Sequence, residues 1–251
     1  MIKNFFCQNE KEKIKNLKKE IEKLEKENKK LKFQNSFKDD VISAISHEFK
    51  NPVSIINGYI ETILSSNLPK ELEKKFLTKI HKNTLRLTGL IDKLYLITKI
   101  ENKKLRIQKS VFRFDEAVKE VLAGFDENRI KTNLLPVKIK ADKNLIQIVI
   151  SNLISNALKY SKKDIEVNLN EKYFEVIDKG IGIDEKNLRL IKEKFFRITK
   201  NDWDNSLGLG LYIVEKILKL HHTHLQIKSE VKKGSRFYFD ITSLKDKEYL
   251  L

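Results

Sequence analysis

Three side chains near the start of this chain have the types and spacing for transfer chemistry: His47, Glu48 and Asn51, in Ser43-Ala44-Ile45-Ser46-His47-Glu48-Phe49-Lys50-Asn51-Pro52. A neutral imidazole is a good nucleophile near neutral pH, and a carboxylate beside it can accept the proton released during attack. Phe37, Val41, Ile45 and Phe49 recur every four residues, so the decamer reads as helix with one apolar stripe. At about 100° per residue, His47 lies roughly 200° round from Ile45 and points away from that stripe. Asn51 stacks one turn above it on the same outward face. A lone His-Glu pair is more often plain helix surface, so the remainder of the chain has to decide.

Three further clusters carry chemistry. Asn152, Asn156 and Lys159 stand at i, i+4 and i+7 on a segment otherwise filled with Ile, Leu and Val. Amides there can cap backbone, or an amide oxygen can ligate magnesium while the ammonium meets phosphates. Asp178-Lys179-Gly180-Ile181-Gly182 follows a strand pattern. Its carboxylate can accept from an adenine amino group, and its glycines let the backbone come close to a base. Leu207-Gly208-Leu209-Gly210-Leu211 opens a helix whose amides suit phosphate oxygens. Each glycine cluster alone is as well explained by a turn.

Taken together and in this order, the decamer and the three clusters resemble the phospho-acceptor box and the N, G1 and G2 boxes of sensor histidine kinases of two-component systems. Lys194-Phe195-Phe196-Arg197 falls where that family has its F box, and Val231-Lys232-Lys233-Gly234-Ser235-Arg236-Phe237 matches its last strand pair. The resemblance runs over roughly residues 37–242. It implies ATP with Mg²⁺, His47 as phospho-acceptor, Glu48 as proton acceptor and Asn156 as magnesium ligand. It sets Asn152, Lys159 and Tyr160 along the nucleotide, Asp178 with Gly180 and Gly182 at the adenine, and Gly208, Gly210 and Leu211 in the phosphate lid. It further implies an aspartate of a separate response regulator as recipient, with Asn51 serving removal of phosphate from that partner.

Asn152 stands where related ATPases of the gyrase type have a glutamate that activates water, and an amide cannot be that base. The γ-phosphoryl group is then kept for His47. The sequence also departs from the family: the lid between Arg197 and Gly208 is short, the stretch from Glu120 to Asp142 is compressed, and His221-His222-Thr223-His224 replaces a His-Gly-Gly turn. Three histidines without carboxylates or cysteines read as a helix-to-strand turn rather than a metal site.

The elements that must position these groups follow from periodicity. Ile14, Leu17, Ile21, Leu24, Asn28 and Leu31 alternate by three and four, an a/d heptad seam with Asn28 at an a position. A coiled coil over residues 1–36 is expected, a solvated single helix being the alternative. A helix from Phe37 to Ser65 follows, loosened after His47 by Pro52. A turn at Ser65–Pro69 leads to a second helix carrying Leu72, Phe76, Ile80, Leu87, Ile91, Leu94 and Ile97 and ending near Glu101-Asn102. The hairpin would expose its stripe alone, whereas two copies make a four-helix bundle, so a homodimer is expected. From Val111 the pattern becomes short strands and helices: a strand at Phe112–Phe114 entering a helix capped by Asp115, a helix from Asp142 to Lys159, strands at Ile165–Leu169 and Tyr173–Ile177, a helix over Leu207–Leu220, and a closing strand pair at Leu225–Ser229 and Arg236–Ile241. The expected class is multidomain α and α+β. A coiled coil (1–36) leads to a dimerisation and phosphotransfer hairpin (37–104), and then to an α/β-sandwich ATP-binding domain (111–245).

Composition agrees. The 251 residues, 40% apolar and 34% charged, suit about two domains with real cores. The net charge of +16 suggests an anionic partner, but only seven of the 51 basic residues are arginine, the preferred reader of phosphates and bases. No helix-turn-helix or finger pattern accompanies them, so no specific nucleic acid is expected. No apolar run reaches transmembrane length and no signal peptide is visible. Cys7 is the single cysteine, which fits a reducing, cytoplasmic setting. No sensor domain precedes the heptads, so a stimulus is expected to enter through residues 1–36, a partner or a region outside this chain. Two rival readings remain at this stage: a partner acting chiefly as phosphatase, and a non-catalytic coiled-coil scaffold with a decayed nucleotide domain.

Overall fold

The computed structural model describes residues 19–21, 23–25, 27–28, 42–43, 45–125, 128–198 and 207–245. Of the heptad seam, Ile21, Leu24 and Asn28 are helical and exposed, and Ile14, Leu17 and Leu31 lie outside the described residues. Helix α1 is described at 42–43 and 45–65. It stays helical on both sides of Pro52, whose ring is buried, so the expected loosening does not end the helix. After a turn, α2 runs over Lys70–Glu101 with Pro69 at its N-cap, where a missing N–H costs nothing. The two helices form a hairpin pinned by Tyr59 against Phe76, ring centroids 4.9 Å apart. Ile55, Ile60, Leu64, Leu72, Leu77, Leu85 and Ile91 remain exposed along it.

Residues 110–245 build one layer of helices on a mixed sheet. Strands β1 (Ser110–Arg113) and β3 (Lys138–Ala141) form an antiparallel pair. Strands β2 (Ile130–Leu134), β4 (Ile165–Leu169), β5 (Tyr173–Asp178), β6 (Gln226–Glu230) and β7 (Gly234–Asp240) form a sheet of order β2-β4-β5-β7-β6, with only β2 and β4 parallel. Helices α3 (Phe114–Leu122), α4 (Lys143–Tyr160) and α5 (Gly210–Leu220) cover it. Alternation puts Val167, Phe174, Val176, Phe237 and Phe239 on the covered face, where Phe174 and Phe239 stack at 5.5 Å and Phe114 joins them from α3 at 5.5 Å and 6.4 Å.

Two expectations need correction. Asp115 is not the cap of α3: Arg113 holds the N-cap position without a side-chain cap bond. Asp115 is instead buried in the first turn, where Arg113 grips it at 2.7 Å through both Nε and Nη2. That fork holds its carboxyl below the usual range, against the opposing effect of burial. The second helix of the domain's C-terminal half begins at Gly210 rather than Leu207, because Gly208 takes a left-handed φ of +63° that ends the regular backbone there.

Candidate functional site

The three downstream clusters meet around one cavity of about 380 Å³. Helix α4 contributes its polar edge. Leu145, Ile146, Val149, Ile150, Leu153, Ile154 and Ala157 bury one face, which leaves Asn152, Asn156, Lys159 and Tyr160 along the cavity wall. Asp142 caps this helix by accepting from the Leu145 N–H at 3.1 Å, so its start is well fixed. The Asn152 amide Nδ2 donates to the Ile148 carbonyl at 2.8 Å. Its Oδ1 faces Gly210 at the start of α5, 3.0 Å from where a β-carbon would stand. Among the described residues the Asn156 amide has no hydrogen-bond partner, so its oxygen is open to a ligand.

Asp178 ends β5 at 5% exposure. It accepts from the Gly180 N–H at 2.8 Å. Burial pushes its carboxyl above the ordinary range, and hydrogen bonds from Gly180 and Ser235 oppose that rise. Ile181, Ile183 and Phe237 supply apolar lining to the same cavity, and Ser235 on β7 stands opposite the carboxylate. The glycines next to it have a different reason from the one the sequence suggests. A β-carbon on Gly180 would lie 2.2 Å from the Tyr160 carbonyl, and one on Gly182, at φ +66°, would lie 2.0 Å from the Glu230 carbonyl. Glycine there admits protein backbone. All of the nucleotide candidates line the cavity except Gly180, which packs behind it.

Lys159 is the most perturbed base. Burial, followed by the nearby Arg197, pushes its ammonium down to about 8, while Glu48 acts in the opposite direction. Phe195 takes a positive φ of 60° and donates its N–H to the Gly208 carbonyl at 3.1 Å, so the F-box segment and the G2 glycine share one junction. The lid residues 199–206 lie outside the described residues.

The fourth wall was not foreseen. Arg86, Gly89, Leu90 and Lys93 of α2 line the same cavity. Their i, i+3, i+4, i+7 spacing marks one helix face, a signal the sequence held but did not distinguish from ordinary surface charge. Ser235 on β7, opposite Asp178, is a second unforeseen member. The C-terminal end of α2 is held down where Glu101 accepts from the Tyr212 hydroxyl at 2.9 Å and pairs with Lys194.

His47 and Asn51 are both exposed on α1, as the helical phase requires, and neither lines the cavity. Glu48 is buried, with Arg86 Nη2 3.3 Å from its Oε2. The histidine turn is structural at His221, which is 1% exposed. Its Nδ1 donates to the Ile217 carbonyl at 2.8 Å and its Nε2 accepts from the Asp142 N–H at 3.1 Å.

Residues 37–103 match the family model described as the His Kinase A (phospho-acceptor) domain, and residues 141–245 match that of the histidine kinase-, DNA gyrase B- and HSP90-like ATPase. Over 219 residues the chain is 28% identical to the phosphate regulon sensor protein PhoR of Haemophilus influenzae, covering 80% of this chain and 50% of that protein. It is 30% identical over 220 residues to the sensor protein KdpD of Clostridium acetobutylicum, covering 81% of this chain and 24% of that one. The chain thus spans half the length, or less, of these curated relatives. Among solved structures it has the fold of the Acinetobacter baumannii histidine kinase AdeS, with a TM-score of 0.58 at 23% identity over 77% of this chain and 96% of that. The histidine kinase ThkA, solved in complex with response regulator protein TrrA, aligns with a TM-score of 0.55 at 23% identity, over 84% of this chain and 62% of that one.

Proposed function

From the premise that this chain belongs to the sensor histidine kinases of two-component systems, we propose that it binds ATP between α4 and the glycine turns and phosphorylates His47, then passes the group to an aspartate of a response regulator. The observation that carries the reading is the cavity itself, whose lining combines a buried carboxylate with an amide, an ammonium and a helix N-terminus. Asp178 would take the adenine amino group, and the α5 N-terminus at Gly210 and Lys159 would take phosphate oxygens. Asn156 fits Mg²⁺ because its oxygen is a hard donor with no protein partner among the described residues, and that ion would offset phosphate charge. Two solved structures of this fold support the assignment, ShkA in complex with AMPPNP and ThkA in complex with response regulator protein TrrA.

In the transfer, the unprotonated ring nitrogen of His47 attacks the γ-phosphorus. The bond to the ADP oxygen breaks with its electrons, and the ring proton passes to Glu48. Asn152 offers no base to water, which keeps the group for histidine. The apolar residues left exposed on the α1–α2 hairpin support a homodimer in which two hairpins bury them as a four-helix bundle. We assign residues 37–104 to that bundle, 111–245 to the nucleotide domain and 1–36 to a coiled coil at its head. A chase tests the sequence of steps: kinase labelled from γ-labelled ATP and freed of nucleotide should lose its label to a regulator. Label that stays on the kinase with every candidate regulator would count against transfer.

Lys159 gives a pH signature. Free, it loses its proton as pH rises through about 8. Bound phosphates favour the charged form and raise that value, so binding takes up a proton above pH 8 and ATP affinity falls as pH increases. Calorimetry near pH 9 in buffers of different ionisation enthalpy should show this uptake. Buffer-independent heats there would remove Lys159 from the phosphates.

Asn51 shares the exposed face with His47. An amide cannot be the base for imidazole attack but can hydrogen-bond a water aligned on an aspartyl phosphate. Asn51→Ala should keep His47 labelling near wild type and lengthen the lifetime of phosphorylated regulator in the presence of ADP. Equal decay with both kinases would defeat the assignment.

A further inference from the structure

We infer that Arg86 links the nucleotide cavity to Glu48 and His47 within one chain, so that the γ-phosphoryl group passes to the histidine of the subunit that binds the ATP. The inference rests on the kinase reading above and adds the route of transfer and a residue that sets it.

Three observations converge. The cavity is closed by the chain's own α2, through the face that carries Arg86, Gly89, Leu90 and Lys93. Leu90 and Ile97 of α2 are buried in the same core as α4 and α5, and the bond from Tyr212 to Glu101 with the Lys194 pair fastens the nucleotide domain to the end of that helix. The docking is therefore built from packing as well as charge. Arg86 then reaches the other way, to Glu48 on α1 at 3.3 Å, and Glu48 adjoins His47.

A guanidinium has five donors in a flat fork, so Arg86 can grip the Glu48 carboxylate while its side chain forms part of the cavity wall. The electrostatics agree with this geometry: Arg86, Lys93 and Arg197 lower the Lys159 ammonium and Glu48 raises it, so Glu48 acts on a cavity side chain although it does not itself line the cavity. Glu48 is thus tied to the cavity wall through Arg86, a side chain that lines it. Bond making is as described above: nitrogen to phosphorus forms, phosphorus to ADP oxygen breaks, and the ring proton goes to Glu48. Arg86 is a positioning residue for that proton acceptor.

Two experiments test the inference. The first mixes full-length His47→Gln chains, which keep the nucleotide site, with size-tagged Asp178→Asn chains, which keep the histidine. Exchanged dimers are incubated at an ATP concentration that wild type uses and Asp178→Asn does not. Same-chain transfer leaves the tagged subunit unlabelled, as it also must if the chains do not associate. Label on the tagged subunit would overturn the inference while upholding the kinase reading, whereas wild type that takes no label in parallel removes both. The second experiment measures Arg86→Gln and Arg86→Lys. We expect the labelling rate at saturating ATP to fall about ten- to a hundredfold in Arg86→Gln, the scale of one charge-assisted hydrogen bond. ADP affinity should stay within about twofold, and Arg86→Lys should recover part of the rate. An unchanged rate, or a loss of ADP affinity equal to the loss of rate, would overturn the role given to Arg86.

Discussion

Replacing Asp178 with asparagine is expected to lower ATP affinity about ten- to a hundredfold and leave the protein folded. The carboxylate is 5% exposed and lines the cavity. A charge-assisted hydrogen bond contributes about 1.5–3 kcal/mol, which sets the size of the loss. Asparagine has the same shape and keeps an oxygen for the Gly180 N–H, so the turn retains its internal bond. Its amide nitrogen, however, turns a donor toward the adenine amino group. The raised carboxyl pKa argues that the charge is carried against burial, so removing it does not cost the fold. A calorimetric titration beside a thermal melt separates the two effects. Wild-type affinity in the variant would take Asp178 out of the site.

Gly182→Ala should be the larger insult to stability. The residue sits at φ +66°, and an added β-carbon would approach the Glu230 carbonyl to 2.0 Å. The left-handed backbone alone costs about 1–2 kcal/mol for an L-residue, and the overlap is with main chain that cannot rotate away. The two turns are also tied to each other: Lys232 donates to the Ile181 carbonyl at 2.7 Å, and Ile183 donates to the Ser229 hydroxyl at 2.8 Å. Relief therefore requires moving the β6–β7 hairpin. A melting midpoint lower by about 4 °C or more is expected, together with weaker ATP binding because Asp178 shares the turn. An unchanged melt would mean that the turn relaxes freely and that its glycine is not a packing requirement.

What the sequence made legible follows from local periodicity. The α1–α2 hairpin, α4 and the β4–β5 pair were readable because their apolar residues repeat at 3.6 or at 2 over many positions. Strand β2 was not, because Ile130-Lys131-Thr132-Asn133-Leu134 has apolar residues only at its ends, and β3 is four residues with two lysines. The cap at Asp115 was misplaced because the same carboxylate can serve a helix start or an arginine two residues before it, and only tertiary burial chooses. In the site, the residues that line the cavity from one glycine turn or one helix face were identifiable from their spacing. The α2 wall was not. Arg86 and Lys93 look like two more cations among 51, and Arg86 meets Glu48 across 38 positions of sequence. The burial of Glu48 was hidden for the same reason, since its helical phase lies between the apolar stripe and the outward face.

Whether His47 carries the phosphoryl group is answered by one labelling experiment. Wild type and His47→Gln are incubated with γ-labelled ATP and Mg²⁺, then treated with acid or base. Wild type should carry label that acid removes and base spares, and His47→Gln should carry none. Acid-stable label, or label that persists when His47 is replaced, would contradict transfer to His47.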